Sequence, residues 1–155
     1  SSSTLWLEAR NYWNFTPTDN HNILGLWVVG NFNTSGTLPY MNLPAIGWDQ
    51  FAKTGRPYAQ GRFRGQNLMY SEVEFRKHLW ATKKNPLFLG MVAYINATTA
   101  SSNASNINLF DYIEPGYGLG LRVNINQKAR TNIGIDYGWG SYQAKGLYIR
   151  LNETF

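Results

Sequence analysis

The stretch from Tyr117 to Asn126 reads YGLGLRVNIN, and every second residue in it is apolar. Its apolar positions are Tyr117, Leu119, Leu121, Val123 and Ile125. Because successive side chains of a β-strand point to opposite faces, this alternation predicts a strand with one apolar and one polar face. Residues 132–139 (NIGIDYGW) and 147–155 (LYIRLNETF) repeat the pattern. The end of the chain is therefore predicted to form three successive strands.

Similar patterns occur upstream, and helical periodicity hardly appears. Leu5 to Phe15 and Met69 to Trp80 alternate between apolar and polar residues. Ile23 to Asn33 is apolar at most positions on both faces, and Leu87 to Asn96 is mostly apolar. Short apolar runs bounded by polar and turn-forming residues are typical of strands. The whole chain, residues 1–155, is thus predicted to be an all-β domain of about seven or eight strands.

The length of these segments and their polar faces favour a membrane setting. Each runs for about 10 residues, close to the roughly 9–11 that a tilted strand needs to cross a bilayer. The polar faces carry charges that a dry core would not accept unpaired, and the apolar faces end in Trp and Tyr, as interfacial girdles do. We expect an antiparallel transmembrane β-barrel. The alternative is a soluble lipocalin-like or sandwich protein, with the Leu/Ile/Trp face packed as its core.

Composition excludes several other classes. Charged residues make up 15% of the chain and aromatic residues another 15%, and there is no Cys. No run of about 18 apolar residues is present, so a transmembrane helix is not expected. Without Cys or a His cluster we predict neither a disulfide nor a metal site, and no cofactor. The formal charge of +5 comes from scattered residues, so nucleic acid is not the expected partner.

The connections differ in length. Three are short, namely Thr16 to Asn22, Asn126 to Thr131 and Gly140 to Gly146, and two are long, namely Thr34 to Leu68 and Thr99 to Pro115. We predict short turns at one end of the barrel and long loops at the other. Bacterial single-chain barrels use even numbers of strands, and an open sheet edge is not viable in lipid. Either one strand is missed in the sequence, or the chain is the C-terminal part of a larger barrel.

Enzymatic activity is not expected. The chain lacks the Gly-x-Ser-x-Gly, His-Glu-x-x-His and P-loop patterns. A nucleophile needs a base within hydrogen-bond reach. The nearest candidates, Ser71 and His78, fall on opposite faces of one predicted strand, so they cannot form such a pair.

Two regions carry a resemblance to a known family. Residues 55–65 (GRPYAQGRFRG), followed by residues 72–76 (EVEFR), are similar to the sixth-loop region of the BamA/TamA surface-antigen family. Residues 118–122 (GLGLR), residues 129–138 (ARTNIGIDYG) and a terminal Phe155 resemble that family's last three strands. The resemblance covers essentially the whole chain. It implies the final seven strands of a bacterial outer-membrane barrel that inserts other barrel proteins into the membrane, or moves chains across it.

The resemblance also implies how the long loop, residues 34–68, is held. It would fold into the lumen, with an arginine bound to a carboxylate of the barrel wall. The arginines are Arg56, Arg62 and Arg64, and the acids on polar faces are Glu72, Glu74 and Asp136. The family's own acid position is occupied here by Asn96, an uncharged and weaker partner for a guanidinium. We therefore expect the arginine to bind another acid, and Arg56 and Arg64 are the candidates for it.

The last segment, Gly146 to Phe155, is similar to the signal that barrel proteins present to the assembly machinery. The residues expected to carry this signal are Gly146, Ile149, Leu151 and Phe155. The resemblance implies outer-membrane lipid, lipopolysaccharide, unfolded barrel clients and other assembly subunits as partners. The alternative is a passive structural, adhesive or small-pore barrel, whose long loop lies outside the lumen.

Overall fold

The computed structural model describes residues 2–16, 19–48, 54–84, 86, 88–126 and 131–151. These form one antiparallel sheet of seven strands. The strands are β1 (Ser3–Thr16), β2 (Asp19–Ser35), β3 (Asn67–Trp80), β4 (Leu89–Ala100), β5 (Glu114–Asn126), β6 (Thr131–Gly140) and β7 (Lys145–Leu151). A 3₁₀ turn, Tyr40–Asn42, lies in the β2–β3 loop. Within these residues there is no helix with the length and apolar character needed to cross a membrane.

Each strand pairs with the next one along the chain, so the sheet is a meander. The all-β prediction is confirmed, and seven strands lie within the predicted range. In the part of the chain that the structure describes, β1 and β7 are the two edges and do not pair with each other. The sheet described is therefore open. The predicted last strand begins one residue earlier than expected, at Lys145, and residues 152–155 lie outside the described part.

The meander corrects one prediction about the connections. Because adjacent strands run in opposite directions, successive connections alternate between the two ends of the sheet. The two long loops, residues 36–66 and 101–113, lie at one end, and the short β6–β7 turn, residues 141–144, lies there with them. The expected separation of all short turns from all long loops is therefore wrong. The other end carries the β1–β2, β3–β4 and β5–β6 connections.

The apolar face of the sheet points outward and is exposed. Ile149 is 71% exposed, Leu119 is 53% exposed and Ile95 is 57% exposed, although all three lie within strands. The lipocalin-like alternative requires the same face to be packed as a core, and the described residues do not pack it. An exposed apolar area of this extent marks a surface that meets another apolar phase or a partner.

The opposite face, here called the inner face, is polar and is covered by the β2–β3 loop. Its buried residues include Glu72 and Glu74 on β3, Asn96 on β4 and Asp136 on β6. Burying such groups costs free energy unless they are hydrogen-bonded or paired. In a soluble sandwich the apolar face of a sheet is buried, whereas here the polar face is buried. The β2–β3 loop supplies the partners that these buried polar groups require.

Candidate functional site

Backbone hydrogen bonds link different parts of the described β2–β3 loop to one another. The Ile46 N–H donates to the Phe63 carbonyl at 3.0 Å, and the Gly61 N–H donates to the Ile46 carbonyl at 2.8 Å. Ile46, Tyr58 and Phe63 form a buried cluster with Leu68 and Ala100 of the sheet. The loop and the sheet therefore share an apolar cluster, which fixes the orientation of the segment that carries Arg56.

Arg56 lies at the centre of the inner face and contacts three carboxylates. Its Nη2 is 2.5 Å from Glu72 Oε1 and 2.6 Å from Glu74 Oε2, and its Nη1 is 3.0 Å from Asp136 Oδ2. Its Nε also donates to Glu72 Oε2 at 3.3 Å, which makes the Glu72 pair bidentate. All four side chains are almost fully buried. The planar fork of a guanidinium, with five donors, suits a site with several acceptors.

The sheet brings these acids together by two different routes. Glu72 and Glu74 are two residues apart on β3, so the period of a strand places both on the inner face. Asp136 comes from β6, three strands away in the sheet. The loop reaches across that distance, so Arg56 connects parts of the sheet that do not pair with each other.

Two further arginines complete the cluster. Arg76 Nε is 2.5 Å from Glu74 Oε1, and Arg122 Nη1 is 2.5 Å from Asp136 Oδ1. These contacts join three guanidiniums to three carboxylates, and Arg150 of β7 adds a further positive charge within electrostatic range of Asp136 and Glu72. The balance of charge matters, because an isolated buried ion is very costly and a pair is tolerated only with good geometry. Removing one partner of a buried pair typically costs about 3–5 kcal/mol.

Tyr94 and Asn96 on the inner face of β4 contact Arg56. The guanidinium carbon lies 3.9 Å from the centre of the Tyr94 ring, a cation–π contact that is worth about 2 kcal/mol when desolvated. The Asn96 amide donates to the Arg56 carbonyl and, at 3.2 Å, to Glu72 Oε2. Asn96 therefore holds the loop backbone and an acid, while neighbouring strands provide the negative charge expected at its position.

The two residues after Arg56 attach the loop to the rest of the sheet. The Tyr148 hydroxyl, on β7, donates to the Pro57 carbonyl. The Tyr58 hydroxyl donates to the Pro115 carbonyl at the start of β5, and it accepts the Ser141 N–H at 2.7 Å. Residues 56–58 thus contact β3, β4, β5, β6, β7 and the β6–β7 turn.

Glycines of β5 and β6 make room for this segment. A Cβ added at Gly116 would lie 2.6 Å from Pro57 Cδ, and one added at Gly138 would lie 2.7 Å from Pro57 Cβ. At Gly140 the added atom would lie 2.6 Å from the Tyr58 ring. These separations are shorter than normal carbon–carbon contacts. The loop can therefore lie this close only where β5 and β6 have no side chains.

The remaining predicted residues lie elsewhere. Arg62 stacks over the Tyr142 ring at 5.4 Å, and Arg64 stacks over Trp48 at 3.9 Å. Neither arginine occupies the carboxylate cluster, so of the two candidates for the central arginine the structure selects Arg56 over Arg64. Gly146, Ile149 and Leu151 lie in the edge strand β7, whereas Phe155 lies outside the described residues.

Several residues of the site were missed in the sequence. Arg122, Tyr94 and Tyr148 all contact the cluster or the loop, and none was singled out. For Arg122 and Tyr148 the available signal was the position of each on the polar face of its strand. A second signal was the repeated glycine on the inner face of β5 and β6, which indicates close approach by another segment.

The chemistry of the site is that of a structural clamp. Its acids are occupied by guanidiniums, and no cluster of His, Cys, Asp or Glu in the described part of the chain has the geometry to hold a metal ion. Comparison with protein-family models, with curated proteins and with solved structures found no match. The comparisons therefore assign this chain to no family.

Replacing Arg56 with Ala is expected to release the loop, because three buried carboxylates would lose their shared cation. The cost should be about 3–5 kcal/mol, which corresponds to at least a roughly hundredfold rise in loop opening. The chain has no Cys, so Ile46→Cys, at a fully buried loop position, gives a unique reporter. Its rate of maleimide labelling should rise in Arg56→Ala and stay unchanged in Arg62→Ala. Equal rates in both variants would contradict the clamp.

A methyl group at Gly140, where the three atoms nearest to the added Cβ all belong to Tyr58 of the loop, is expected to weaken loop docking by about 1–3 kcal/mol, as overpacking does. Gly140→Ala should therefore raise the labelling rate of Ile46→Cys and leave the far-UV circular dichroism of the sheet unchanged. Gly90→Ala is the matched control, since its added Cβ would meet no atom closer than 3.3 Å. If the two variants label alike, the glycines do not serve the loop.

Proposed function

We propose that this chain is the C-terminal part of a bacterial outer-membrane β-barrel of the BamA/TamA type, which assists the insertion or translocation of other proteins. The observation that carries the proposal is the clamp itself. A loop bearing Gly55-Arg56-Pro57-Tyr58 is bound by buried ion pairs to the polar face of its own sheet. A long loop held inside in this way is what the resemblance implies, and a passive barrel does not require it.

The exposed outer face supports a membrane setting. Leu119, Leu121 and Ile125 on β5 continue into Ile135, Tyr137 and Trp139 on β6, and all six side chains are exposed. Tyr117 stacks on Trp139 with 5.8 Å between ring centres near the end that carries the long loops. An apolar band bordered by aromatic residues is typical of barrels in lipid. The outer membrane is therefore the proposed location, with lipid and lipopolysaccharide as surroundings.

The proposed mechanism is non-enzymatic and uses the edge of the sheet. β7 is seven residues long and pairs with β6 alone in the described sheet. An unpaired edge can accept an incoming strand by β-augmentation. The clamp holds Tyr148 of β7 through the Pro57 carbonyl, so it would keep that edge in register while an unfolded barrel protein pairs with it. Assembly subunits would act on the same barrel as further partners.

Lipid contact on the outer face is tested with Leu119→Arg. Arginine on the lipid face of a barrel costs about 2–4 kcal/mol near the bilayer midplane. The unfolding free energy in phosphatidylcholine vesicles should fall by about this amount. Ile113→Arg, in the loop before β5 and also exposed, should change it by less than about 0.5 kcal/mol. If both substitutions change the unfolding free energy by equally small amounts, the β5 face does not contact lipid.

Assisted insertion is tested with vesicles that contain the refolded chain. An unfolded eight-stranded barrel protein is added as client, and its folding is followed by the heat-sensitive shift in gel mobility. We expect faster client folding than in empty vesicles, loss of the acceleration in Arg56→Ala and retention in Arg62→Ala. Equal client folding with and without the chain would favour the passive barrel.

A further inference from the structure

The end of β3 contains a β-bulge that changes the face of the sheet on which Trp80 lies. His78 pairs with Gly90 of β4, but the next pair is Trp80 with Leu89, so Leu79 is an extra residue in β3. Paired residues share a face of the sheet, and Leu89 lies on the outer face with Ile95. Regular alternation would instead place Trp80 on the inner face with His78. The bulge therefore turns Trp80 outward, which is a recognised use of bulges.

A hydrogen bond from His78 accompanies the bulge. His78 Nε2 lies 2.8 Å from the Trp80 carbonyl oxygen, and it acts as the donor because a carbonyl can only accept. The bond joins the residue before the bulge to the residue after it. As a result, Leu79 and Trp80 lie together on the outer face, where they are 48% and 67% exposed.

Basic residues surround this apolar pair. Lys77 lies on the outer face of β3 and is exposed, and Lys83 and Lys84 follow in the exposed β3–β4 connection. The sequence from Lys77 to Gly90 contains no Asp or Glu. Three cations next to an exposed Trp and Leu, in a segment without Asp or Glu, form a surface that suits a ligand with an anionic head and an apolar tail.

The position of this surface in the fold indicates which ligand fits. It lies at the end of the sheet opposite the two long loops. In outer-membrane barrels the short turns face the periplasm, and the long loops face outward. We propose that Lys77, Lys83 and Lys84, with Leu79 and Trp80, bind the phosphate head and upper acyl chain of an anionic phospholipid in the periplasmic leaflet. This inference rests on the proposed membrane location.

The physical basis is the usual one for an interface. Tryptophan prefers the level of the headgroups, where its ring is apolar and its N–H is hydrated. Lysine stems extend along apolar surface and bring the ammonium group to the phosphates. Each lysine near an anionic membrane surface contributes a factor of about five in affinity, and salt screens this contribution.

The test uses lipid quenching of a single label in the full chain. Ala81→Cys, at an exposed position beside Trp80, carries a fluorophore, and the protein is refolded into phosphatidylcholine vesicles. A fixed small fraction of lipid has brominated acyl chains, on phosphatidylglycerol in one set and on phosphatidylcholine in the other. We expect stronger quenching by the brominated phosphatidylglycerol. The double variant Lys83→Gln/Lys84→Gln should lower the preference at least fivefold, and 0.5 M NaCl should reduce it.

Lys145→Gln is the matched control, because this exposed lysine begins β7 at the opposite end of the sheet. It should leave the preference unchanged. Equal quenching by the two brominated lipids would overturn the inference while leaving the membrane location intact. If neither brominated lipid quenches the label and the chain remains open to added protease, the proposed membrane location fails instead.

Discussion

A buried guanidinium must have anionic partners, and this requirement organises the structure around Arg56. Three carboxylates meet it directly, and two further arginines balance those acids. Glu74 and Asp136 also bind Arg76 and Arg122 of the sheet, but Arg56 of the loop is the one cation shared by all three acids in the described contacts. Loop and sheet are therefore two halves of one electrostatic unit, in which removal of either leaves the other with unpaired charge.

The close approach of the loop requires residues in β5 and β6 that weaken these strands. Glycine weakens a strand, because it loses more backbone entropy on folding and has no side chain to pack. Inner positions of β5 and β6 are nevertheless glycine at the points where Pro57 and Tyr58 approach. Local strand stability is given up for contact with the loop, which is the kind of compromise expected at a functional site.

Much of this could be predicted from the sequence, because a strand has a fixed period. Alternation assigned Glu72, Glu74 and Asp136 to polar faces and Arg56 to the long loop, and these four residues do meet. Periodicity alone could not select Arg56 from Arg64, since that choice depends on the tertiary fold of the loop. It also could not show that Asp136, three strands from β3, lies within reach. The placement of the β6–β7 turn followed only from the strand count.

The contacts of the clamp span very different distances along the chain. Arg56 and Glu72 are 16 residues apart, Arg56 and Asp136 are 80 apart, and Tyr148 and Pro57 are 91 apart. During folding, the loop has its nearest acid as soon as β3 forms, but it lacks its other attachments until the last hairpin is in place. Contacts between distant residues form slowly, since a long segment must first be ordered. The loop can therefore make all its contacts only after the whole sheet has formed. In a chain that is truncated or paired in the wrong register, the charged groups of the clamp would lack some of their partners.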